Sequence, residues 1–110
     1  MANKYFRKYS IPNAATETTL YTVPDANTAV VSSLRITNGN ANNATITVSV
    51  YALGGATEYF VLKGYSLPTN ATMDTFSGVP LVLEATDVLK IESSVATVHF
   101  YLSYLEIDRN

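Results

Sequence analysis

Apolar and polar residues alternate with a period of two along most of the chain, and Val, Ile, Thr and Tyr dominate the alternating stretches. These side chains fit a pleated, half-buried surface, and helical spacing is hard to find. In "TAVVSSLRIT" (28–37), Val30, Ser32, Leu34 and Ile36 share one face while Val31, Ser33, Arg35 and Thr37 share the other. The first set is the expected core face, and Arg35 is expected to point outward. "ATITVSVYA" (44–52) sets Ile46, Val48 and Val50 against Thr45, Thr47, Ser49 and Tyr51. The intervening "NGNANN" tolerates positive φ, so these two strands read as the strongest hairpin in the sequence.

Shorter runs complete the set. "TETTLYTV" (16–23) reads as a strand that stops at Pro24, whose fixed φ and missing N–H suit a turn with Asp25, Ala26 and Asn27. "EYFVLK" (58–63) reads as a short strand, and "GYSLPTNAT" (64–72) as a wide loop too rich in Gly, Pro and Asn to continue it. "LGG" at 53–55 is a flexible connection, and "TMDTFS", "PLVLE" and "DVLKIESS" are three further short strands, the last two joined through Glu84, Ala85, Thr86 and Asp87. In "ATVHFYLSYLEI" (96–107), Val98, Phe100, Leu102 and Tyr104 share a face, after which Leu105 and Ile107 are apolar on the other, a phase change that suggests a bulge or a strand shared between two environments. About eight short antiparallel strands predict an all-β sandwich, immunoglobulin-like or jelly-roll. The expected division is a basic and aromatic arm over 1–12 followed by one sandwich domain over 13–110.

The 110 residues suit one domain with a single core, and with 47% hydrophobic and 15% charged residues the chain should fold. So little charge leaves much of the surface to Thr, Ser, Asn and Ala, which are buried against a partner more cheaply than Lys or Glu. Formal net charge is −2. No run of basic residues is interleaved with aromatics in the way a nucleic-acid groove requires, which argues against a nucleic-acid partner. Lys4, Arg7 and Lys8 nevertheless concentrate at the start. The chain has no cysteine, so disulfides, thiolate metal sites and Cys nucleophiles are all removed. "MANKYFRKYS" lacks the apolar stretch of a signal peptide and no run is long enough to cross a bilayer, so an intracellularly made, soluble chain is expected, without a membrane partner.

Catalytic chemistry is hard to place. His99 is the single histidine, and no motif supplies the nucleophile or orienting carboxylate a general base requires, so it reads as a surface or interface histidine. Glu84, Asp87 and Glu92 do not match a cation-binding loop, and turn chemistry and a solvated strand face account for them. Asn43-Ala44-Thr45 and Asn70-Ala71-Thr72 fit the glycosylation pattern without a secretory signal to make it meaningful. Gly39 and Gly54-Gly55 lack the strand, Gly-rich turn and helix of a phosphate cradle. No cofactor and no enzymatic activity are expected.

Eight tyrosines against no tryptophan are more informative. Tyr5, Phe6 and Tyr9 accompany Arg7 and Lys8 in the arm, while Tyr51, Tyr59, Tyr65 and Tyr101 fall at strand ends or on second faces, where an amphipathic ring can fill a sandwich end or join an interface. The candidate partner surface is therefore Tyr5, Phe6, Arg7, Lys8, Tyr51, Tyr59, Tyr65 and Tyr101. The arm has too little to bury alone, so it is expected to pair along a sheet edge or reach onto another subunit.

"YTVPDANTAVVSSLRITNGNANNATITVSVYA", then "LVLEATDVLKIESS" and a closing "YLSYLEI", together resemble a group of small tailed-phage virion proteins. The shared pattern is a Val-Pro turn before "TAVVSSL", an Asn-rich turn, a "LVLE" strand, an acidic strand and a closing "LEI", over about residues 20 to 107. The resemblance implies a virion component made in the host cytoplasm, of a kind found as head decoration, neck or tail-appendage parts. No long repetitive shaft precedes the sandwich, which favours a compact add-on subunit. The expected function is a capsid decoration (cement) protein that binds and stabilises the assembled head. Its expected partners are the major capsid protein or other virion proteins and further copies of itself, a trimer suiting the pseudo-symmetric positions of a shell. The alternatives are a neck or tail/fibre-attachment component, or a host-glycan-binding module using Tyr65 and the 64–72 loop.

Overall fold

The alternating runs condense into nine strands in the computed structural model, which describes residues 3–52, 57–76 and 80–108. They are β1 (Asn3–Ser10), β2 (Thr18–Thr22), β3 (Asn27–Asn38), β4 (Ala44–Ala52), β5 (Thr57–Leu67), β6 (Thr72–Asp74), β7 (Leu81–Leu83), β8 (Val88–Ser93) and β9 (Val98–Asp108). All the pairings are antiparallel. Sheet A has the order β1-β9-β3-β6, with β7 also on β3, and sheet B has the order β2-β8-β4-β5. β6 and β7 lie end to end along one edge of β3, as one interrupted strand.

This order distinguishes the two sandwiches expected from sequence. An immunoglobulin sandwich keeps several consecutive strands paired within one sheet. Here β1 to β2, β2 to β3, β3 to β4, β5 to β6, β7 to β8 and β8 to β9 all change sheet, and β4–β5 is the one hairpin among the described strands. The fold is a jelly roll. The expected hairpin of 28–37 with 44–52 is therefore corrected. β3 pairs β6, β7 and β9, β4 pairs β5 and β8, and the Asn-Gly turn arches between sheets.

Asn38 shows why that turn arches. It is fully buried, and its Nδ2 donates to the Asn42 and Leu67 carbonyls, both at 3.0 Å, while its Oδ1 accepts the Asn40 N–H at 2.9 Å. One side chain thereby holds the β3–β4 turn against the end of β5. Gly39 continues the restraint: its N–H donates to the Thr97 carbonyl at 2.9 Å, and a Cβ there would sit 2.9 Å from that same oxygen. At the opposite end, the Val23 N–H donates to Asp87 O at 2.9 Å and the Thr86 N–H to Val23 O at 3.1 Å, tying the Pro24 turn to the β7–β8 turn.

The core lies between the sheets and holds Leu34, Ile36, Ile46, Val48, Leu83, Leu89, Ile91, Val98, Phe100 and Leu102, all essentially inaccessible. Arg35 is exposed, as its face predicts, but the core phase of β3 is only half as expected. Ala29 and Val31 are buried where Val30 and Ser32 were expected, because the register against β9 shifts between Val31 and Ser33. Ser32 is the extra residue of a bulge, so the inward set changes parity at that point. The phase change read in the last strand belongs here: β9 keeps one parity from Val98 to Glu106, and Leu105 and Ile107 lie half-buried on the outer face of sheet A. β5 also departs from expectation, running on through Gly64 (φ +66°) to Leu67 with two register shifts against β4. The "LGG" connection lies outside the described residues.

Replacing Asn38 by Ala removes three hydrogen bonds, among them the buried one to the Leu67 carbonyl, so Asn38→Ala is expected to cost about 2–4 kcal/mol. The cost would be read as a lower urea midpoint with unchanged slope.

Candidate functional site

In an antiparallel sheet, residues directly opposite share a face, so the pairings fix what the outside of sheet A presents. Residues 3–10 lie along the free side of β9, from Asn3↔Ile107 to Ser10↔Phe100. One outer row reads Tyr9, Tyr101, Arg35 and Asp74, and beside it runs His99, Thr37 and Thr72. Beyond Arg7, Ser103 and Ser33 comes an apolar row of Tyr5, Leu105, Val30 and Val82. Tyr5 is 85% exposed, Tyr9 68% and Val82 57%, so this face is open rather than core.

The aromatic row is organised. The Tyr9 and Tyr101 rings stack with centroids 6.1 Å apart, and Arg7 Nη1 donates to the Tyr101 hydroxyl at 3.3 Å while its guanidinium lies 5.9 Å over the Tyr9 ring. Asp74 faces Arg35 across the strands but accepts from Ser33 Oγ at 3.1 Å and the Phe76 N–H at 3.2 Å. Among the described residues Arg35 has no ion pair or side-chain hydrogen bond, and neither does His99. A shallow depression of about 560 Å³ is lined by Arg35, Thr37, His99 and Tyr101, and an adjoining one of about 400 Å³ by Tyr9, Ser10, Ile11, His99, Phe100 and Tyr101.

The other side of β1 does different work. Phe6 stacks on Tyr104 at 5.6 Å, Tyr104 packs on Tyr21 at 4.2 Å, and Lys8 Nζ lies 6.0 Å over the Tyr21 ring. The Tyr21 hydroxyl donates to Glu106 Oε2 at 2.5 Å, and Asn27 Nδ2 donates to Oε1 at 3.4 Å. Burial first, and then the hydrogen bond to Glu106, push the Tyr21 phenol far above the ordinary tyrosine range, and burial also raises Tyr104.

The sequence candidates thus divide. Tyr5, Arg7 and Tyr101 share the outer face of sheet A, and Phe6 and Lys8 occupy the reverse of the same strand. Tyr51, Tyr59 and Tyr65 belong to sheet B and do not join them. The Tyr51 hydroxyl donates to the Glu17 carboxylate at 2.9 Å, and Lys90 Nζ sits 4.4 Å over its ring and 3.9 Å from Glu17 Oε1. Desolvation, then hydrogen bonds to Glu58 and Glu17, raise the Tyr51 phenol. Tyr59 and Tyr65 are exposed on edge strand β5, beside Phe60, whose ring lies 4.5 Å from Lys63 Nζ. Arg35, Thr37 and His99 are additions to the candidate set. Strand parity in the sequence puts Arg35 outward and His99 on the side of Tyr101, but only the β3–β9 register sets them side by side.

Asp87 is a turn residue, its Oδ2 accepting the Glu84 N–H at 3.0 Å, and no three His, Asp or Glu side chains converge as metal ligands among the described residues. The described face therefore offers aromatic plates, two unpaired cationic or hydrogen-bonding groups and apolar area, the elements of recognition.

No protein-family model matches the sequence, and neither does any curated protein. Solved structures do match by shape. A chain of Bacillus endospore appendages, described as disulfide-linked pili, superposes with a TM-score of 0.61 at 13% identity over 99% of this chain and 88% of that one. A protein of the T13 particle of infectious bursal disease virus gives 0.57 at 12% identity, over 94% of this chain and 30% of the viral one. The T=1 particles derived from that virus give 0.58 at 12% identity, over 94% and 31%. At these identities the likeness is one of fold: this chain is an antiparallel β-sandwich of the kind found in virus particles and in a spore pilus, spanning under a third of the viral proteins.

The Tyr21 and Tyr104 phenols have a stability consequence. With folded values raised above about 10, their contribution is complete below pH 10 and is lost as pH rises through the folded values. Denaturant midpoints measured from pH 7 to 11 should hold and then fall above about pH 10. Tyr21→Phe should cost about 1–3 kcal/mol at pH 7 by removing a donor to Glu106, and should flatten the alkaline fall.

Proposed function

We propose that this chain is a non-enzymatic structural subunit of a virus particle, a decoration (cement) protein that docks on an assembled phage head. The observation that carries the reading is the open apolar row Tyr5, Leu105, Val30 and Val82 on the outer face of sheet A, flanked on that same face by Arg7. Apolar and aromatic area with a charged rim is what a protein interface uses. A subunit that binds the assembled shell in preference to its free parts stabilises the particle by mass action. The jelly-roll fold shared with virus-particle proteins supports this, as does the resemblance of the turn and strand pattern to tailed-phage virion proteins.

A second reading is a subunit of a linear appendage, such as a neck or tail attachment, favoured by the spore-appendage likeness, which covers nearly all of both chains. The link would differ chemically, because these 110 residues hold no cysteine for a disulfide.

Quantitative mass spectrometry and cryo-electron microscopy of purified particles separate the two. Copies spread over the whole shell are the outcome expected for decoration, with Tyr5→Ser combined with Val82→Ser weakening shell binding at least about tenfold without unfolding the sandwich. A few copies at one vertex or along a fibre would favour the appendage reading, and absence from particles would overturn both.

A further inference from the structure

The polar half of the sheet A face is distinct from its apolar row. Tyr5 and Tyr9 stand four residues apart on β1, so about 13 Å separates the two regions. The depressions share His99 and Tyr101 and form one shallow groove running across β1, β9 and β3, about 10 Å from end to end. It holds an exposed guanidinium at Arg35 that no carboxylate among the described residues answers, because Asp74 is committed to Ser33 and the Phe76 amide. It also holds the imidazole of His99, the hydroxyl of Thr37 and the exposed rings of Tyr9 and Tyr101. The Tyr101 hydroxyl accepts from Arg7 and so keeps its own proton for a ligand.

We propose that this groove binds a saccharide carrying a carboxylate, such as a uronic acid unit of a surface polysaccharide. Arg35 takes the carboxylate, for which a planar guanidinium is the matched donor. The Tyr9–Tyr101 pair presents electron-rich ring faces to the C–H face of a pyranose, and Thr37, His99 and Tyr101 meet its hydroxyls. An acidic peptide is the less suited occupant. Extended peptides bind along strand edges, where free backbone groups complete their hydrogen bonds. On the face of a sheet the backbone is already paired, so a peptide laid there leaves its own amides unanswered. A saccharide brings hydroxyls instead, which side chains satisfy.

The test titrates the full chain with trigalacturonate, with neutral maltotriose and with triglutamate, following backbone amide shifts by NMR. The expected result is saturable binding of trigalacturonate with a Kd on the order of 1 mM or tighter, with shifts centred on Thr37, His99 and Tyr101. Maltotriose and triglutamate should each bind at least about tenfold more weakly, and Arg35→Gln or Tyr101→Ala should weaken trigalacturonate by about tenfold, with Arg35→Lys in between. Arg35 is exposed and has no ion pair or side-chain hydrogen bond among the described residues, so its variants should melt as the parent does. No saturation by about 10 mM, triglutamate binding as well as the sugar, equal binding of the neutral trimer, or an unchanged Arg35→Gln variant would each overturn the proposal. Shell binding by Arg35→Gln should be unaffected, which keeps this proposal separable from the decoration role.

Discussion

The pairing of β9 with β3, from Asn27↔Asp108 to Asn38↔Val98, sets the terms for the remaining structure. Val98, Phe100, Leu102 and Tyr104 all face inward, and a slip of one residue would turn the whole set to solvent. The register is therefore fixed by burial, and the bulge at Ser32 is its consequence. β3 carries Ala29 and Val31 at one parity and Leu34 and Ile36 at the other, and both pairs can face the core only if one residue is taken out of phase between them. Once β9 is locked, its free side offers β1 a ladder, and the far side of β3 offers another to β6 and β7.

The two faces of sheet A then acquire different chemistry. Inward, at the β1 margin, Phe6, Tyr104 and Tyr21 form a continuous aromatic contact that ends in the Tyr21–Glu106 hydrogen bond. It closes the sandwich where sheet B reaches only as far as β2. Outward, alternate residues of the same strands form an exposed surface split into an apolar row and a polar aromatic groove. β1 contributes to both through the simple alternation of Phe6 and Lys8 with Tyr5, Arg7 and Tyr9. Its three cations also disfavour joining another β1 edge to edge, since like charges would meet along the ladder.

The loops at the Asn38 end follow a similar economy. Asn38, Asn40 and Gly39 connect the β3–β4 turn to the β5–β6 and β8–β9 loops, with Asn40 Nδ2 donating to Ala96 O at 2.9 Å and Thr69 Oγ1 donating to Asn40 O. His99 is the second residue of β9, two residues beyond Thr97, whose carbonyl accepts the Gly39 N–H. The imidazole is thus presented from a fixed base, and a site built on strands needs less ordering on binding than one built on free loops.

Strand content, the outward aim of Arg35, the core phases of β4 and β9, and the sandwich class were legible in the sequence, because side-chain alternation is a local property of each strand. The partner of each strand was not. The Asn-Gly turn after β3 looks like a hairpin turn, yet it arches between sheets, since turn residues specify that the chain reverses and not what it pairs with. The Ser32 bulge and the run of β5 through Gly64 were hidden for a related reason: both answer to a neighbouring strand's register. The outer groove was hidden most completely. Tyr9, Arg35 and His99 lie far apart in the chain, and they meet only because burial of the opposite face fixes how β1, β9 and β3 align.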